Sequence, residues 1–392
     1  MLNKQILYIG GFELPDKNAA AHRVIANGKL LKDLGYEVIF YGISKENSIT
    51  YFNNSYKIFG FECYARNYPK NIKQQLRMLI NIDDYIRVII KYSNIDTVIC
   101  YNMPSLPLYR LKLYCNKREI RIISDCTEWY KSSIKGNLLI GIIKRFDSFL
   151  RMRFIHLKLD GIIAISEFLF DFYAKKGIKT IKIPPLIDIY DKKWETSFHE
   201  GNKNIEIVYA GGAFSLKDSY VKDRLDIVVM ALSHLKTEGL RFSFNVVGCT
   251  LDDFRKFYPG LIKNLDVLDQ DITFFGRVNH EEAIKLIKKA DYSIFLRDEN
   301  IVTKAGFPTK FVESITCGTP VLTNRNSNVS DFMVESKNGY FIDLFSLETI
   351  YKTMNTALSV NPSNLLKMKI HTYKSQIFDY RKYTMEFEKL FT

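Results

Sequence analysis

Short apolar runs alternate with segments of helical periodicity along the whole chain. In the first half these runs predict β-strands at 5–9, 37–41, 97–100, 121–124, 161–165 and 181–183. In the second half they predict strands at 205–209, 243–247, 272–274, 292–295, 321–322 and 339–342. The segment 20–34 has a helical period and is followed by Gly35, a residue type that commonly ends helices. Such alternation is typical of α/β proteins with parallel sheets.

The two series of strands predict two doubly wound, Rossmann-like domains at 1–190 and 205–377. A chain of 392 residues is long enough to form two complete cores. The stretch 191–204 is polar and has no apolar period, so it is interpreted as a linker. The final segment, 378–392, carries Phe, Tyr, Met and Leu at helical spacing and predicts a terminal helix.

Positive charge is concentrated in the first half of the chain. The formal net charge is +13; residues 1–200 hold 31 Lys and Arg against 20 Asp and Glu, and residues 201–392 hold 25 against 23. An anionic partner is therefore expected for the first half. Because the chain has no recognisable nucleic-acid-binding motif, an anionic membrane surface is the better candidate than DNA or RNA.

The stretch 131–158 has the composition of a helix that lies on a membrane surface. Against one acid, Asp147, it carries Lys131, Lys135, Lys144, Arg145, Arg151, Arg153 and Lys158. Interleaved with these are Leu138, Leu139, Ile142, Ile143, Phe146, Phe149, Leu150 and Phe154. The same pattern fits a helix that packs on its own domain and leaves a basic face in water, so both interpretations remain open.

Composition narrows the class of protein further. With 47% hydrophobic residues, 24 Tyr and 28 Phe, the chain is not expected to be disordered. Its six cysteines form no CxxC pair and have no His at metal-ligand spacing, so buried free thiols in a reducing compartment are expected. The strand predicted at 5–9 argues against a signal peptide, and the longest apolar runs are too short to span a membrane. These features predict a cytoplasmic protein, soluble or peripheral on the membrane.

The stretch 304–321, KAGFPTKFVESITCGTPV, carries the most informative chemistry. Pro308 suits a first helical turn, where a missing N–H costs nothing. The helix N-terminus and Lys310 would attract phosphate oxygens, and Glu313 would accept hydrogen bonds from vicinal hydroxyls. The stretch therefore suits a ligand that contains both a phosphate and a diol.

Other candidate residues follow predicted strands, at the edge where open α/β sheets bind ligands. After the first strand come Gly11 and, in the next helix, Arg23; SDCTEWY at 124–130 contains Asp125 and Glu128. In the second half these positions include Gly212 in VYAGG, Gly276 and Arg277 in FFGRV, and Arg297 at the end of DYSIFLR. The chain has no GxGxxG dinucleotide motif and no DxD-like metal motif at a strand end, so no cofactor and no metal are expected.

These segments resemble, in the same order along the chain, the motifs of retaining GT-B glycosyltransferases, especially the GT4 group of bacterial polysaccharide enzymes. That group has a glutamate before Gly-Phe-Gly or Gly-Phe-Pro and a second glutamate eight positions after the first. Glu313 matches the second glutamate, whereas Ala305 stands at the position of the first. The segments 161–167 and 183–188 also resemble the two strand ends that close the family's first domain.

The resemblance implies a GT-B fold, with two domains facing a central cleft and a C-terminal helix that crosses back to the first domain. It implies transfer of a sugar from a nucleotide-sugar donor to a glycan acceptor with retention of configuration, as in bacterial surface polysaccharide synthesis. A lipid-diphosphate-linked acceptor, met on the inner face of the cytoplasmic membrane, would also explain the basic first half. The residues implied in donor binding are Gly11, Arg23, Gly212, Lys222, Gly276, Arg277, Arg297, Gly306, Phe307, Pro308, Thr309, Lys310 and Glu313.

The residues implied in catalysis divide into two groups. Lys222, Arg297 and Lys310 would stabilise the departing nucleoside diphosphate without a metal; Lys217 is the alternative to Lys222. On the acceptor side, Glu128 would accept the proton of the attacking hydroxyl or orient it, next to Asp125. Three other functions remain open: an inactive GT-B scaffold or binding subunit, a GT-B sugar-nucleotide epimerase, and a nucleic-acid-binding protein.

Overall fold

The computed structural model describes residues 4–45, 55–129, 138–198, 204–216 and 220–391. The chain forms two compact units. Unit 1 consists of Met1–Asp188, Ala305–Phe307 and Phe378–Thr392, and unit 2 consists of Ile189–Lys304 and Pro308–Ile377. Each unit contains a twisted, mostly parallel sheet with helices, so the predicted α/β class is confirmed.

Unit 1 is organised around an eight-stranded sheet whose order is β3-β4-β2-β1-β5-β6-β7-β8. The strands are β1 (Gln5–Gly10), β2 (Glu37–Ser44), β3 (Tyr56–Ile58), β4 (Phe61–Asn67), β5 (Ile95–Tyr101), β6 (Arg121–Cys126), β7 (Gly161–Ala164) and β8 (Thr180–Lys182). Its helices are α1 (Ala19–Asp33), α2 (Ile72–Met78), α3 (Asp83–Lys91), α4 (Ser105–Asn116), α5 (Leu138–Leu150) and α6 (Glu167–Ala174). A π-helical turn, Arg151–Ile155, follows α5 directly.

The six strands predicted in the first half are all present, and most are longer than their apolar runs. The hairpin of β3 and β4 at the sheet edge was not predicted, because its strands mix polar and apolar residues without a clear run. Strand β6 continues two residues beyond the predicted end at 124 and therefore includes Asp125, which pairs in register with Tyr101 of β5. Because Asp125 lies within the strand, the direction of its side chain is set by the strand.

Helix α1 shows how local sequence positions an element on the sheet. It begins after Asn18, whose side chain accepts a hydrogen bond from the N–H of Ala21, as N-cap residues commonly do. Its inner face packs on the sheet so closely that a Cβ at Gly28 would lie 2.5 Å from the ring of Phe40. Only glycine fits at this contact without movement of a core aromatic ring.

Unit 2 is organised around a six-stranded parallel sheet of order β13-β12-β9-β14-β15-β16. The strands are β9 (Ile205–Ala210), β12 (Phe242–Val247), β13 (Ile272–Gly276), β14 (Tyr292–Phe295), β15 (Val321–Thr323) and β16 (Gly339–Phe341), and a short hairpin joins β10 (Phe214–Ser215) to β11 (Tyr220–Val221). The helices are α7 (Leu225–Thr237), α8 (Leu251–Phe257), α9 (Ile262–Val267), α10 (His280–Lys289), α11 (Ile301–Ala305), α12 (Thr309–Thr316), α13 (Leu347–Leu358) and α14 (Pro362–Ser375). All six strands predicted in the second half are present.

The chain returns to unit 1 at its C-terminal end. The predicted terminal helix is shorter than its apolar pattern, because a 3-10 turn, Tyr380–Tyr383, precedes α15 (Thr384–Phe391). The segment before this turn is tied to unit 1 through a β-bridge between Ile187 and Asp379. Leu390 of α15 is buried against Gly161 at the start of β7, where a Cβ would lie 2.6 Å from its side chain. The C-terminal helix is thus part of the core of unit 1.

Two expectations about the interior and the membrane can be compared with the structure. All six cysteines are free and buried, as predicted, and burial raises the pKa of Cys63, Cys115 and Cys249 to about 12. In the described part of the chain, no helix has the length and apolar character needed to cross a membrane.

We expect Leu390→Ala to lower the free energy of unfolding of unit 1 by about 2–5 kcal/mol, because it opens a cavity in a closed part of the core. Met385→Ala, on the same helix, is the matched control: Met385 is 77% exposed, so its truncation should change stability by less than about 0.5 kcal/mol. Urea denaturation followed by circular dichroism measures both. Equal, small effects of the two substitutions would show that α15 does not belong to the core.

Candidate functional site

The centre of the unit 2 sheet is the place where a ligand site is expected. The strand order reverses direction between β9 and β14, and open α/β sheets bind ligands beyond the carboxyl ends of the strands at such a point. Backbone hydrogen bonds join the loops there. The N–H groups of Lys222 and Asp223 both donate to the carbonyl of Ala213, and the N–H of Arg224 donates to the carbonyl of Leu296. The loops after β9, β11 and β14 therefore form one connected rim.

A buried ionic cluster lies at this rim. Nε of Arg297 donates to Oδ1 of Asp223 over 2.6 Å, and Nζ of Lys310 donates to Oδ2 of the same carboxylate. The hydroxyl of Tyr209 donates to Oδ2 over 2.7 Å and accepts from Nζ of Lys310 over 3.0 Å. Nζ of Lys310 also lies 4.1 Å from the centre of the Tyr209 ring, at cation–π distance. The predicted pair Arg297 and Lys310 is thus brought together, around a carboxylate that was not predicted to take part.

The cluster has more positive than negative charge. Burial by itself would raise the pKa of the Asp223 carboxyl, but Lys310 and Arg297 hold that pKa well below its usual range, so the carboxylate is ionised. Burial lowers the pKa of Lys310 to about 8, although Asp223 opposes this shift. At neutral pH two buried cations therefore face one buried carboxylate. This excess of one positive charge suits an anionic ligand.

The third predicted cation of the site, Lys222, is exposed at the rim. Its charge lowers the pKa of Lys310, which shows that the two ammonium groups are near one another. Lys217, the alternative to Lys222, lies outside the described residues. The loop geometry therefore supports Lys222 as the outer member of the group of cations.

Three glycines allow the strand-end loops of unit 2 to approach each other. At Gly211, with φ of +139°, a Cβ would lie 3.0 Å from Nζ of Lys310. At Gly248, with φ of +117°, a Cβ would lie 2.2 Å from the carbonyl oxygen of Gly211. The predicted residue Gly276 has φ of +64° and accepts a hydrogen bond from the N–H of Gly248. At Gly212 a Cβ would meet no protein atom within 4 Å, so the space there is open, and Arg277 next to Gly276 is exposed.

Glu313 lies on α12 with its carboxylate only partly exposed. Nε2 of His280, the first residue of α10, lies 3.1 Å from Oε1 of Glu313. A carboxylate only accepts hydrogen bonds, so this contact places a proton on Nε2. The ring of Trp194 meets the His280 ring edge-on, with centroids 6.4 Å apart. Glu313 is therefore held in position by a histidine that was not predicted to take part.

The segment before α12 differs from the predicted geometry in one respect. Pro308 occupies the N-cap position, one residue earlier than predicted, and α12 begins at Thr309, which is exposed. The three preceding residues belong to unit 1: Ala305 and Phe307 are buried there and Gly306 is partly buried. The carbonyl of Ala305 accepts a hydrogen bond from the hydroxyl of Ser166 over 2.8 Å. Ala305 is thus a packed residue with no side-chain group to offer a ligand.

Two residues of the predicted site in unit 1 do not reach the surface. Nε and Nη2 of Arg23 bind the carboxylate of Asp125 at 2.8–3.0 Å, and Nη1 donates to the carbonyls of Ile183 and Pro184. The hydroxyl of Tyr8 donates to Oδ2 of Asp125 over 2.6 Å. The prediction that Arg23 and Asp125 face open space is therefore wrong. Because β6 extends past 124, Asp125 is a strand residue whose side chain points inward to α1.

The neighbouring Glu128, by contrast, is exposed at the end of β6. Just before it, Thr127 is held by two hydrogen bonds with the side chain of Asn102, one of 3.1 Å to its N–H and one of 2.6 Å to its hydroxyl. Trp129 packs edge-on against Phe172 of α6 at 5.1 Å. The segment is thus fixed on both sides of Glu128. Gly11, the remaining candidate in unit 1, is exposed, with no protein atom within 4 Å of a Cβ placed there.

Comparison with known proteins covers both units. Residues 214–374, which belong to unit 2 except for 305–307, match the family model described as "Glycosyl transferases group 1". The matched range contains Asp223, Arg297, Lys310 and Glu313. No curated protein sequence is similar enough to count as a relative. Among solved structures, sucrose-phosphate synthase from Thermosynechococcus elongatus is similar with a TM-score of 0.72 and 12% identity, covering 99% of this chain and 98% of that one.

Two further solved structures extend this comparison. HepE of Anabaena, in complex with UDP and glucose, has a TM-score of 0.65 and 14% identity, with 99% of both chains covered. WaaG, a glycosyltransferase involved in lipopolysaccharide biosynthesis, has a TM-score of 0.60 and 14% identity, with 98% of both chains covered. At such low identity these likenesses concern the fold. The fold is GT-B. Both units have the Rossmann-like architecture of this fold, and its C-terminal helix is the α15 that packs in unit 1.

We expect Arg23→Leu to destabilise unit 1 by about 3–5 kcal/mol, because it leaves the buried Asp125 carboxylate without its cation. The double variant Arg23→Leu/Asp125→Asn should lose less than the sum of the two single losses, since the two residues share one interaction. Urea denaturation of the three variants measures this coupling. A folded, fully stable Arg23→Leu protein with weakened ligand binding would restore Arg23 to a binding role.

Proposed function

We propose that this chain is a retaining, GT4-like glycosyltransferase, which moves a sugar from a nucleotide-sugar donor to a glycan acceptor in the synthesis of a bacterial surface polysaccharide. The observation that carries the proposal is the net-positive cluster of Asp223, Arg297 and Lys310 at the switch point of unit 2. Such a cluster suits a diphosphate better than a neutral ligand. The family match over the same residues, and the UDP in the HepE structure, support this assignment.

In this proposal the donor is held by unit 2 in three places. Arg297, Lys310 and the exposed Lys222 bind the diphosphate and stabilise its charge as the bond to the sugar breaks. Glu313, oriented by His280, accepts hydrogen bonds from a diol of the ribose or the sugar. The backbone around Gly212, Gly276 and Arg277, together with Pro308 and Thr309 at the start of α12, contacts the remainder of the donor.

The proposed chemistry needs neither a metal nor a covalent carboxylate. Cationic side chains at the diphosphate supply the charge that a metal would otherwise provide. Ala305 offers no carboxylate, so the sugar is transferred directly as the diphosphate departs, and the acceptor hydroxyl attacks from the same face. On the acceptor side Glu128 accepts the proton of that hydroxyl or orients it. Gly11 next to open space in unit 1 leaves room for a ligand.

We expect thermal stabilisation of the protein by nucleotide sugars or nucleoside diphosphates, because a ligand that binds only the folded state raises its melting temperature. A panel of UDP-, GDP- and ADP-linked sugars identifies the donor. Glu313→Gln should weaken donor binding by about 1–2 kcal/mol, since a neutral acceptor replaces a charged one. Glu281→Gln, an exposed residue on α10, is the matched control and should change nothing. Unchanged donor affinity in Glu313→Gln would remove Glu313 from the site.

The same panel separates the alternative functions. An epimerase would convert the donor without any acceptor, and a scaffold or binding subunit would bind the donor without consuming it. A glycosyltransferase should consume the donor only when a glycan acceptor is present, apart from slow hydrolysis. Product analysis by mass spectrometry and NMR distinguishes these outcomes and reports whether configuration is retained.

The proposal extends to the acceptor and the cellular location, and the surface of α5 supports this part of it. A surface helix normally buries its apolar side and exposes its polar side. In α5 the order is reversed: Ile142, Phe146 and Phe149, three and four residues apart, are 57%, 61% and 47% exposed. Two polar residues of α5 point inward: Ser148 is buried, and the Asp147 carboxylate accepts two hydrogen bonds from Ser105, each of 2.7 Å. An exposed apolar helix side calls for an apolar partner.

Basic residues flank this apolar side. Lys144, Arg145, Arg153 and Lys158 are exposed, together with Ile143 and Phe154. Arg151 does not belong to this surface, contrary to expectation, because it is buried and its Nη1 donates to the carbonyl of Asn102. Lys131 and Lys135 lie outside the described residues. The arrangement fits an anionic membrane surface on the cytoplasmic side, where a lipid-diphosphate-linked acceptor would be met.

We expect the protein to sediment with vesicles that contain anionic lipid and to sediment little with neutral vesicles. Each basic residue near an anionic surface contributes about 1 kcal/mol to the free energy of binding. High salt should weaken the binding. Ile142→Ser/Phe146→Ser should reduce it strongly, whereas Phe345→Ser, an 89% exposed phenylalanine of unit 2, is the control that should not. Equal and negligible binding to both kinds of vesicle would refute the membrane assignment and leave the donor site untouched.

A further inference from the structure

A carboxylate occupies the centre of the site that unit 2 offers to an anion. Asp223 is completely buried, and its two oxygens contact the two cations that the proposed function assigns to the diphosphate. An acid in this position is unexpected, because a carboxylate repels a diphosphate. Its presence requires a role other than ligand binding.

The carboxylate keeps the empty site stable. Two buried cations without an anion would carry a large desolvation cost, and removing one partner of a buried ion pair commonly destabilises a protein strongly. Asp223 balances one of the two charges, and the hydroxyl of Tyr209 holds it from the side. The bond through Nε also fixes the plane of the Arg297 guanidinium, and its loop is fixed by the Asn324 side chain, which bonds the N–H and the carbonyl of Arg297 at 2.9 Å.

Asp223 also sets how strongly the site attracts a diphosphate. A lysine ammonium has three N–H donors, and two of those of Lys310 are given to Asp223 and Tyr209. A phosphate oxygen near Lys310 must therefore compete with the carboxylate for the same ammonium. When the diphosphate leaves, the carboxylate is in position to form its ion pair with the Lys310 ammonium again.

We propose that Asp223 is an internal counter-anion of the diphosphate site, a positioning residue that holds Arg297 and Lys310 when no diphosphate is bound. When a nucleoside diphosphate binds, the ammonium of Lys310 exchanges its contact with Asp223 for a contact with a phosphate oxygen. This inference rests on the proposed function. In this proposal Asp223 has two effects that a purely structural residue would not have. Asp223 weakens the binding of the free nucleoside diphosphate, and it thereby helps this product to leave.

The charge state of Lys310 makes the effect of Asp223 on diphosphate affinity depend on pH. The groups that face its ammonium are Asp223, Tyr209, Arg297 and Lys222. Asp223 raises the pKa of Lys310, whereas burial, Arg297 and Lys222 lower it. Without Asp223 the pKa of Lys310 falls further below about 8, so the variant keeps both cations only at lower pH. The extra attraction for an anion should therefore be largest in mildly acidic solution and fade as the pH rises.

The experiment measures the dissociation constants of UDP, GDP and ADP for the wild type and for Asp223→Asn by calorimetry at about pH 6.5 and about pH 8.5. We expect Asp223→Asn to have a lower melting temperature when empty. It should nevertheless bind the preferred diphosphate about tenfold more tightly at the lower pH, because a competing anion is gone. The gain should shrink at the higher pH, and the diphosphate should raise the melting temperature more in the variant than in the wild type.

The matched control is Asp291→Asn. Asp291 is buried in unit 2 and pairs with Lys369, but it lies at the opposite end of β14, so its loss should destabilise the protein without changing diphosphate affinity. If Asp223→Asn binds the diphosphate equally or more weakly at about pH 6.5, the inference is wrong. If the wild type binds none of the three diphosphates, the proposed function itself fails.

A second measurement covers the case in which Asp223→Asn does not fold. A crystal structure of the wild type with the preferred diphosphate should show Nζ of Lys310 within hydrogen-bond distance of a phosphate oxygen. A bound diphosphate with Lys310 still paired only with Asp223 and Tyr209 would overturn the inference and leave the donor site in place.

Discussion

The ion pairs of Asp223 with Arg297 and Lys310 join three parts of unit 2 that are far apart in sequence. Asp223 precedes α7, Arg297 follows β14 and Lys310 lies in the first turn of α12. Backbone bonds from the Asp223 loop to Ala213 and Leu296 add the ends of β9 and β14 to the same structure. The site therefore exists only when the sheet has formed and its loops have met. Its geometry depends on a charge balance as much as on packing.

Unit 1 contains a second buried network with the same chemical groups and a different charge balance. Tyr8 of β1 bonds Asp125 as Tyr209 of β9 bonds Asp223, and each carboxylate is paired with a buried arginine. In unit 1 the charges are equal, since one guanidinium meets one carboxylate and two backbone carbonyls. Such a network is complete without a ligand. In unit 2 the additional lysine leaves one positive charge in excess. This difference supports the proposal that the unit 2 cluster binds an anion, whereas the unit 1 network is a structural link.

The apolar runs were sufficient to predict twelve of the strands, because most of these strands are largely buried and therefore have a continuous apolar stretch. They could not predict the edge hairpin of β3 and β4, whose residues are partly exposed. In the site, Arg297, Lys310 and Glu313 were recognised from motifs, but Asp223 and His280 were not. Their roles depend on partners 33 to 87 positions away, which no local pattern encodes. Arg23 and Asp125 were misplaced for a different reason: β6 runs two residues past its predicted end, so Asp125 lies within the strand and binds the buried Arg23.

The distribution of charge in the sequence has a different physical meaning in each unit. The sequence of the second half has almost equal numbers of basic and acidic residues. The cluster in unit 2 has one buried positive charge in excess, which water and salt screen poorly. The first half carries a surplus of eleven positive charges. Four of its basic residues near α5 are exposed, as are Ile142, Phe146 and Phe149; they are Lys144, Arg145, Arg153 and Lys158. Polar bonds help to hold this region: Asp147 of α5 accepts hydrogen bonds from Ser105, and Arg151 of the π-helical turn after α5 donates to the carbonyl of Asn102. Because these polar bonds help to fix this region, the exposed side chains of Ile142, Phe146 and Phe149 remain available to a partner outside the chain.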